Sequence, residues 1–173
     1  MINVEHSIFA QQKLLASLRI PFSKGLRISI VGFGNPYMGD DAVGIKILEG
    51  LKNIGLPDNV EIHECSSEFD LINIVDKADA LIIVDSMLSG VEPGTVVVEE
   101  LRADMGEVKP ITSLHGLDIT SVLPLVKAIN GKPSKVIFVG IEAEDISVKE
   151  GLSPKVESAI PEAIKTILNL IGV

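Results

Sequence analysis

The 173-residue chain has one cysteine, Cys65, and no tryptophan. A single cysteine rules out an intramolecular disulfide and any zinc cluster built from several cysteines. The segment Met1–Arg19 is interrupted by polar residues such as Glu5 and Lys13, so it lacks the apolar core of a secretory signal peptide. We therefore expect a cytoplasmic protein in a reducing compartment.

Long apolar runs and basic clusters are also missing. Hydrophobic residues make up 46% of the chain, yet no segment reaches the roughly 18–20 apolar residues that a membrane-spanning helix needs. Fifteen basic residues, scattered along the chain, stand against 24 acidic ones, which gives a net charge of −9. Because nucleic acids and anionic membranes attract basic surfaces, the sequence predicts neither as a partner.

Short runs rich in Ile, Val and Leu alternate instead with helical patterns, which is typical of a parallel sheet covered on both faces. The predicted strands are Leu26–Val31, Val60–Cys65, Ala80–Asp85, Thr95–Glu100 and Lys135–Ile141, and the predicted helices are Asp41–Ile54, Phe69–Lys77, Ile119–Asn130 and Pro154–Ile171. This order predicts an α/β fold, a three-layer α/β/α sandwich with a mostly parallel five-stranded sheet. Thr95–Glu100 is expected to be an antiparallel edge strand.

Residues 1–24 differ from the rest and are predicted to form an N-terminal extension. Apolar residues between Val4 and Leu18 recur at helical spacing, which predicts an amphipathic helix that ends before Pro21. The extension either packs on the domain or serves as a docking arm. Residues 25–173 are predicted to form one α/β/α domain.

Polar residues follow the predicted strands. Asp40 and Asp41 come after a glycine-rich segment at the end of the first strand, Asp85 ends the third, and His115 precedes the helix at Ile119. Ligands of open parallel sheets bind at the carboxyl ends of the strands, so we expect these side chains to gather there.

The glycine-rich segment does not favour nucleotide binding. A dinucleotide fingerprint needs glycine at position 37, where the chain has Tyr37, and no Gly-Lys-Ser/Thr follows. Asp40 and Asp41 would also repel a phosphate at the helix start.

Each candidate has a structural alternative. Asp40 or Asp41 would complement the helix dipole, Asp85 would accept hydrogen bonds from the amides of Ser86 and Met87, and His115 would cap or pack.

Together, Asp41, Asp85 and His115 form a set of two carboxylates and one imidazole. Such a set suits Ni, Zn, Mn or Fe(II) and leaves coordination positions open for substrate or water. The same residues could do acid–base work without a metal. A Ser-His-Asp triad is disfavoured because the chain contains no Gly-x-Ser-x-Gly.

The motifs that carry these residues occur in a recognisable order. They are Ile30–Gly44, Ile82–Ser86 with Pro93–Thr95, Ser113–Leu117, Gly140–Glu142 and Gly151–Val156. In these motifs, from Leu26 to Val173, the chain resembles the hydrogenase maturation endopeptidases, which finish the large subunit of nickel-iron hydrogenases. Residues 1–24 precede the family's usual start, and Ser66-Ser67 stand where many relatives carry glycine.

The resemblance implies a peptidase that is neither a serine nor a cysteine protease. It would recognise nickel already inserted in the large-subunit precursor and then remove a C-terminal extension. Asp41, Asp85 and His115 match the family's nickel-recognising and catalytic residues, and Asp40 matches an acid of less defined role. Nickel would come with the substrate, so no permanently bound metal is expected, and we expect a monomer. The alternatives are a non-enzymatic nickel or cofactor chaperone and another peptidase of the same fold.

Overall fold

The computed structural model describes residues 13, 16–20, 25–74, 78–101, 119–131 and 133–173. Its strands are β1 (Ile28–Phe33), β2 (Val60–Cys65), β3 (Ala80–Met87), β4 (Val96–Leu101) and β5 (Lys135–Glu142). They form one sheet in the order β2-β1-β3-β5-β4. All neighbouring strands are parallel except β4, which pairs antiparallel with β5 at the edge. The predicted mixed sheet with one antiparallel edge strand is confirmed.

Helices cover both faces of this sheet. They are α1 (Val43–Ile54), α2 (Leu71–Ile74), α3 (Ile119–Asn130) and α4 (Pro154–Ile171), with 3-10 helices at Gly39–Ala42 and Glu68–Asp70. The apolar residues of α1 and α4, including Ile47 and Ile167, share one buried cluster with Ile30 and Val84. Residues of α2 and α3, including Leu123, share a second cluster on the opposite face. The predicted α/β/α layering is therefore confirmed.

Several element boundaries differ from the prediction, and two of these differences lie beside the polar residues. The first α-helix begins at Val43 rather than Asp41, because Gly39–Ala42 form a 3-10 helix. Strand β3 continues past Asp85, because its pairing with β5 extends to Met87. Ser153 stands at the N-cap of α4 as predicted, but its side chain makes no capping hydrogen bond.

The described end of the predicted extension packs on the domain. Leu18 and Ile20 are buried in the same cluster as α1 and α4. The Ile20 amide donates to the carbonyl of Leu170 at 2.8 Å, and Lys135 Nζ donates to the carbonyl of Arg19. Most of the predicted helix from Val4 to Leu18 lies outside the described residues.

The strand order creates a crevice between β1 and β3. The chain leaves β1 through α1 toward β2 on one side, and it leaves β3 toward β4 and β5 on the other. Connections that depart in opposite directions open a gap at the carboxyl ends of the two strands, where sheets of this type bind ligands. Within the described part of the chain, no helix has the length and apolarity needed to cross a membrane.

Candidate functional site

Asp41 lies in this crevice, in the 3-10 helix that joins β1 to α1. It is buried, and both of its carboxylate oxygens accept hydrogen bonds. Oδ2 accepts from the amide of Asn35 at 2.9 Å, and Oδ1 accepts from the hydroxyl of Ser86 at 3.0 Å. The second bond directs Asp41 across the crevice toward β3.

Asp85 is fully buried in β3, one residue beyond the end of the β1–β3 pairing at Gly32 and Val84. Its Oδ1 accepts from the amide of Ser86 at 2.8 Å, which is one of the two hydrogen bonds predicted as the structural alternative. Because an unpaired buried carboxylate is costly, this bond helps keep Asp85 in place. Asp85 therefore lies at the carboxyl end of the β1–β3 pairing.

Ser86 connects the two carboxylates. Its hydroxyl donates to Asp41 and its amide donates to Asp85, so one buried residue orients both. The contact of the Ser86 hydroxyl with Asp41 was not predicted from the sequence, which indicated only a hydrogen bond from the Ser86 amide. The available signal was a second polar residue directly after Asp85 in an otherwise apolar strand.

The two acids face different layers of the sandwich. Side chains alternate along a strand, so Ser86 shares its face with Val84, which packs in the α1–α4 cluster. Asp85 shares its face with Ile83 and Met87, which pack in the cluster of α2 and α3. Asp41 and Asp85 therefore flank the end of β3.

The carboxylate of Asp40 is directed toward the connection between β5 and α4, whereas that of the neighbouring Asp41 is directed toward β3. Its carboxylate is fully buried and accepts backbone hydrogen bonds from Glu144, Asp145 and Ser153. The sequence offered Asp40 as an acid that complements the dipole at the start of the first helix. The structure instead directs its carboxylate to three amides of the connection between β5 and α4.

Glu142, at the end of β5, is a second buried acid with a structural role. It accepts hydrogen bonds from the amides of Ser89 and Gly90 and from the hydroxyl of Ser89. These bonds fix the connection that follows β3. The sequence signal for this role was an acid at the end of an apolar strand.

One exposed ion pair lies in the connection between β5 and α4. The Lys149 ammonium donates to the Asp145 carboxylate, and this hydrogen bond holds the pKa of Asp145 well below its usual range. The same contact raises the pKa of Lys149. Both side chains are substantially exposed, so the pair contributes little to stability.

Two further residues bear on the chemistry that the sequence predicts. Cys65 is buried at the end of β2, and that burial raises the pKa of its thiol to about 12. His115 lies outside the described residues. In the described ranges, no group of three or more His, Cys, Asp or Glu side chains is placed to hold a metal ion.

Comparison with known proteins gives a consistent result. Residues 45–170 match the family model described as hydrogenase maturation protease. The hydrogenase 2 maturation protease of Escherichia coli K12 is 32% identical over 150 residues, which cover 83% of this chain and 89% of that protein.

Solved structures agree in fold. The hydrogenase maturating endopeptidase HybD from Escherichia coli superposes with a TM-score of 0.69 at 30% identity, covering 83% of this chain and 90% of that one. The NiFe hydrogenase maturation protease HybD from Thermococcus kodakarensis gives a TM-score of 0.72 at 27% identity, covering 84% and 99%.

Proposed function

The chain belongs to the hydrogenase maturation protease family, and we propose that it is an endopeptidase acting on the large-subunit precursor of a nickel-iron hydrogenase. It removes a C-terminal extension once nickel has been inserted in that precursor. The observation that carries the proposal is the pair Asp41 and Asp85, held at the crevice between β1 and β3 by Ser86.

In this proposal, Asp41, Asp85 and His115 recognise the nickel of the substrate. Carboxylate oxygens and imidazole nitrogen are suitable ligands for this metal. Asp85 faces the layer of α3, and the segment that contains His115 leads directly into α3. The metal belongs to the substrate, so the protein needs no permanently bound metal.

Nickel recognition would hold the cleavage site of the precursor against the crevice. Water then adds to the scissile carbonyl, the C–N bond breaks, and the departing amine takes up a proton. Two sources of activation fit the residues: polarisation of the carbonyl or the water by nickel, and proton removal by a carboxylate. We propose no cysteine nucleophile, because Cys65 is buried with a pKa of about 12. We propose no serine nucleophile either, because no Gly-x-Ser-x-Gly is present.

We further propose that the protein acts as a monomer in the cytoplasm. The unpaired thiol of Cys65 fits a reducing compartment. Size-exclusion chromatography with light scattering measures the oligomeric state directly.

The test is processing of a nickel-loaded precursor, followed by intact-mass spectrometry of the large subunit. The protein is co-expressed with candidate precursors in the presence and absence of nickel, as wild type and as Asp41→Asn, Asp85→Asn and His115→Ala. We expect nickel-dependent shortening by the wild type and a loss of about 100-fold or more in each variant, since each removes a group that contacts the substrate metal.

Two variants outside the site serve as matched controls. Asp79→Asn removes a carboxylate just before β3, at the end of the strand opposite to the crevice, and His63→Ala removes an imidazole from β2. Both should process the precursor at nearly the wild-type rate. Wild-type rates in all three site variants would show that the assignment is wrong. An extension that stays intact with every nickel-loaded precursor would support the chaperone alternative.

A further inference from the structure

We propose that Asp40 is a positioning residue, whose carboxylate clamps the β1–α1 connection to the β5–α4 connection and thereby fixes Asp41. The inference rests on the function proposed for Asp41. It gives Asp40 a task distinct from metal recognition, because its oxygens are directed at backbone amides.

The clamp consists of three hydrogen bonds to one carboxylate. Oδ1 accepts from the amide of Ser153 at 2.6 Å, and Oδ2 accepts from the amides of Glu144 and Asp145 at 2.8 and 2.9 Å. Asp40 is fully buried. Charge-assisted hydrogen bonds of this kind are strong, and a buried partner left without one is destabilised. Asp40 therefore ties together both ends of the connection that runs from β5 to α4.

Backbone contacts extend the clamp over the same two connections. The amide of Gly39 donates to the carbonyl of Lys149, the amide of Asp40 donates to the carbonyl of Asp145, and the amide of Lys149 donates to the carbonyl of Tyr37. Gly39 has a φ of +55°, and a Cβ there would overlap the carbonyl oxygen of Asp145. Only glycine permits so close an approach. The two connections thus behave as one packed unit.

This unit sets the direction of Asp41. Asp40 and Asp41 are consecutive in a 3-10 helix, where about three residues complete a turn, so their side chains diverge by about 120°. Asp40 is directed to the β5–α4 connection, and Asp41 to Ser86 on β3. Anchoring the turn at Asp40 therefore limits the rotation that would carry Asp41 away from the crevice. A displacement of about 1 Å in a catalytic site is enough to slow a reaction about 100-fold.

The first test compares Asp40→Asn with Asp79→Asn as the matched control. Asp79 lies just before β3, at the end of the strand opposite to the crevice, and its carboxylate also accepts a hydrogen bond from a backbone amide, that of Arg27. Asparagine has the size of aspartate but one acceptor oxygen fewer, so at least one clamp amide loses its acceptor. Two quantities are measured well below the unfolding temperature: kcat on the nickel-loaded precursor, and hydrogen exchange at the amides of Glu144, Asp145 and Ser153.

For Asp40→Asn we expect kcat to fall about 10- to 100-fold and exchange at one or more of the three amides to accelerate. Asp79→Asn should change neither quantity. A wild-type kcat in Asp40→Asn overturns the proposal. A reduced kcat with unchanged exchange also overturns it, because the carboxylate would then act on the substrate rather than through the clamp.

A second variant removes one clamp bond without altering Asp40, and it is used where Asp40→Asn does not fold. Ser153 has a φ of −66°, which proline can adopt. Ser153→Pro deletes the donated N–H and places the ring Cδ where that hydrogen pointed at Asp40 Oδ1, so the carboxylate must move off this amide. Ser153→Ala keeps that N–H and is the matched control. We expect Ser153→Pro to lower kcat several-fold relative to Ser153→Ala, and equal rates would contradict the clamp. If the wild type itself leaves every nickel-loaded precursor uncut, the proposed function fails, whereas the exchange measurements still report on the clamp.

Discussion

At the scale of single residues, the four buried acids of the site differ in what their oxygens accept. Asp40 and Glu142 each accept hydrogen bonds from donors of their own in one connection, whereas Asp41 and Asp85 both accept a hydrogen bond from Ser86. The sequence predicted that Asp40, Asp41 and Asp85 would gather at this edge and chose Asp41 and Asp85 as ligand candidates, but it did not predict the partners of Asp40 or a structural role for Glu142. The physical reason is distance along the chain, because Asp40 and its donor Ser153 are 113 positions apart.

Cys65 gives a prediction about thiol chemistry. Its pKa rises from 9.0 to about 12, first because of burial and second because of the negative charge of Asp70. The reactive thiolate fraction at pH 8 should therefore be about 1,000-fold below that of an unperturbed thiol. We expect iodoacetamide to leave the native protein unlabelled at pH 8 and to label it fully in guanidinium chloride, as measured by intact mass. Rapid native labelling accompanied by loss of processing would contradict a mechanism without a cysteine nucleophile.

At the scale of elements, the apolar runs located all five strands, because β-branched segments of this length favour buried strands. The boundaries depended on contacts that sequence periodicity does not contain. Strand β3 gains two residues from its pairing with β5, and α1 loses two residues to the 3-10 helix that begins at Gly39. His115 stays a prediction from sequence, since it lies outside the described residues.

Gly44 lets α1 approach the sheet next to the crevice. A Cβ at Gly44 would overlap the carbonyl oxygen of Phe33 and lie 2.7 Å from that of Val84, so it would meet the backbone of both β1 and β3. A Cβ at Gly50, in the same helix, would meet only the flexible end of Ile164. The two positions therefore test packing within one element.

We expect Gly44→Ala to lower the free energy of unfolding by about 1–3 kcal/mol, because overlap with backbone outweighs the better helix propensity of alanine. Gly50→Ala should be neutral or stabilising by up to about 1 kcal/mol. Urea denaturation of both variants measures the difference. Equal stabilities would mean that α1 can move away from β1 and β3 at little cost.

At the scale of the whole molecule, the hydrophobic core continues across the predicted boundary between the extension (residues 1–24) and the domain (residues 25–173). Leu18 and Ile20 precede it in sequence, yet both pack with residues of α1 and α4 and with the centre of the sheet. Sequence alone left packing and docking open for the extension, because an amphipathic helix presents the same pattern for either use. The contacts of its described end favour packing for residues 18–20.

Ile20 tests this packing. It is 1% exposed and its amide is bonded to Leu170 in α4, so Ile20→Ala should leave a cavity between the extension and the last helix. We expect the free energy of unfolding to fall by about 2–4 kcal/mol, within the range for large-to-small core substitutions. Ile129→Ala removes the same side chain from a position that is 58% exposed on α3, and it should change stability by less than about 0.5 kcal/mol. Urea denaturation compares the two variants with the wild type. If Ile20→Ala is as stable as Ile129→Ala, the packing of Ile20 does not stabilise the domain, and the docking arm is the remaining role for the extension.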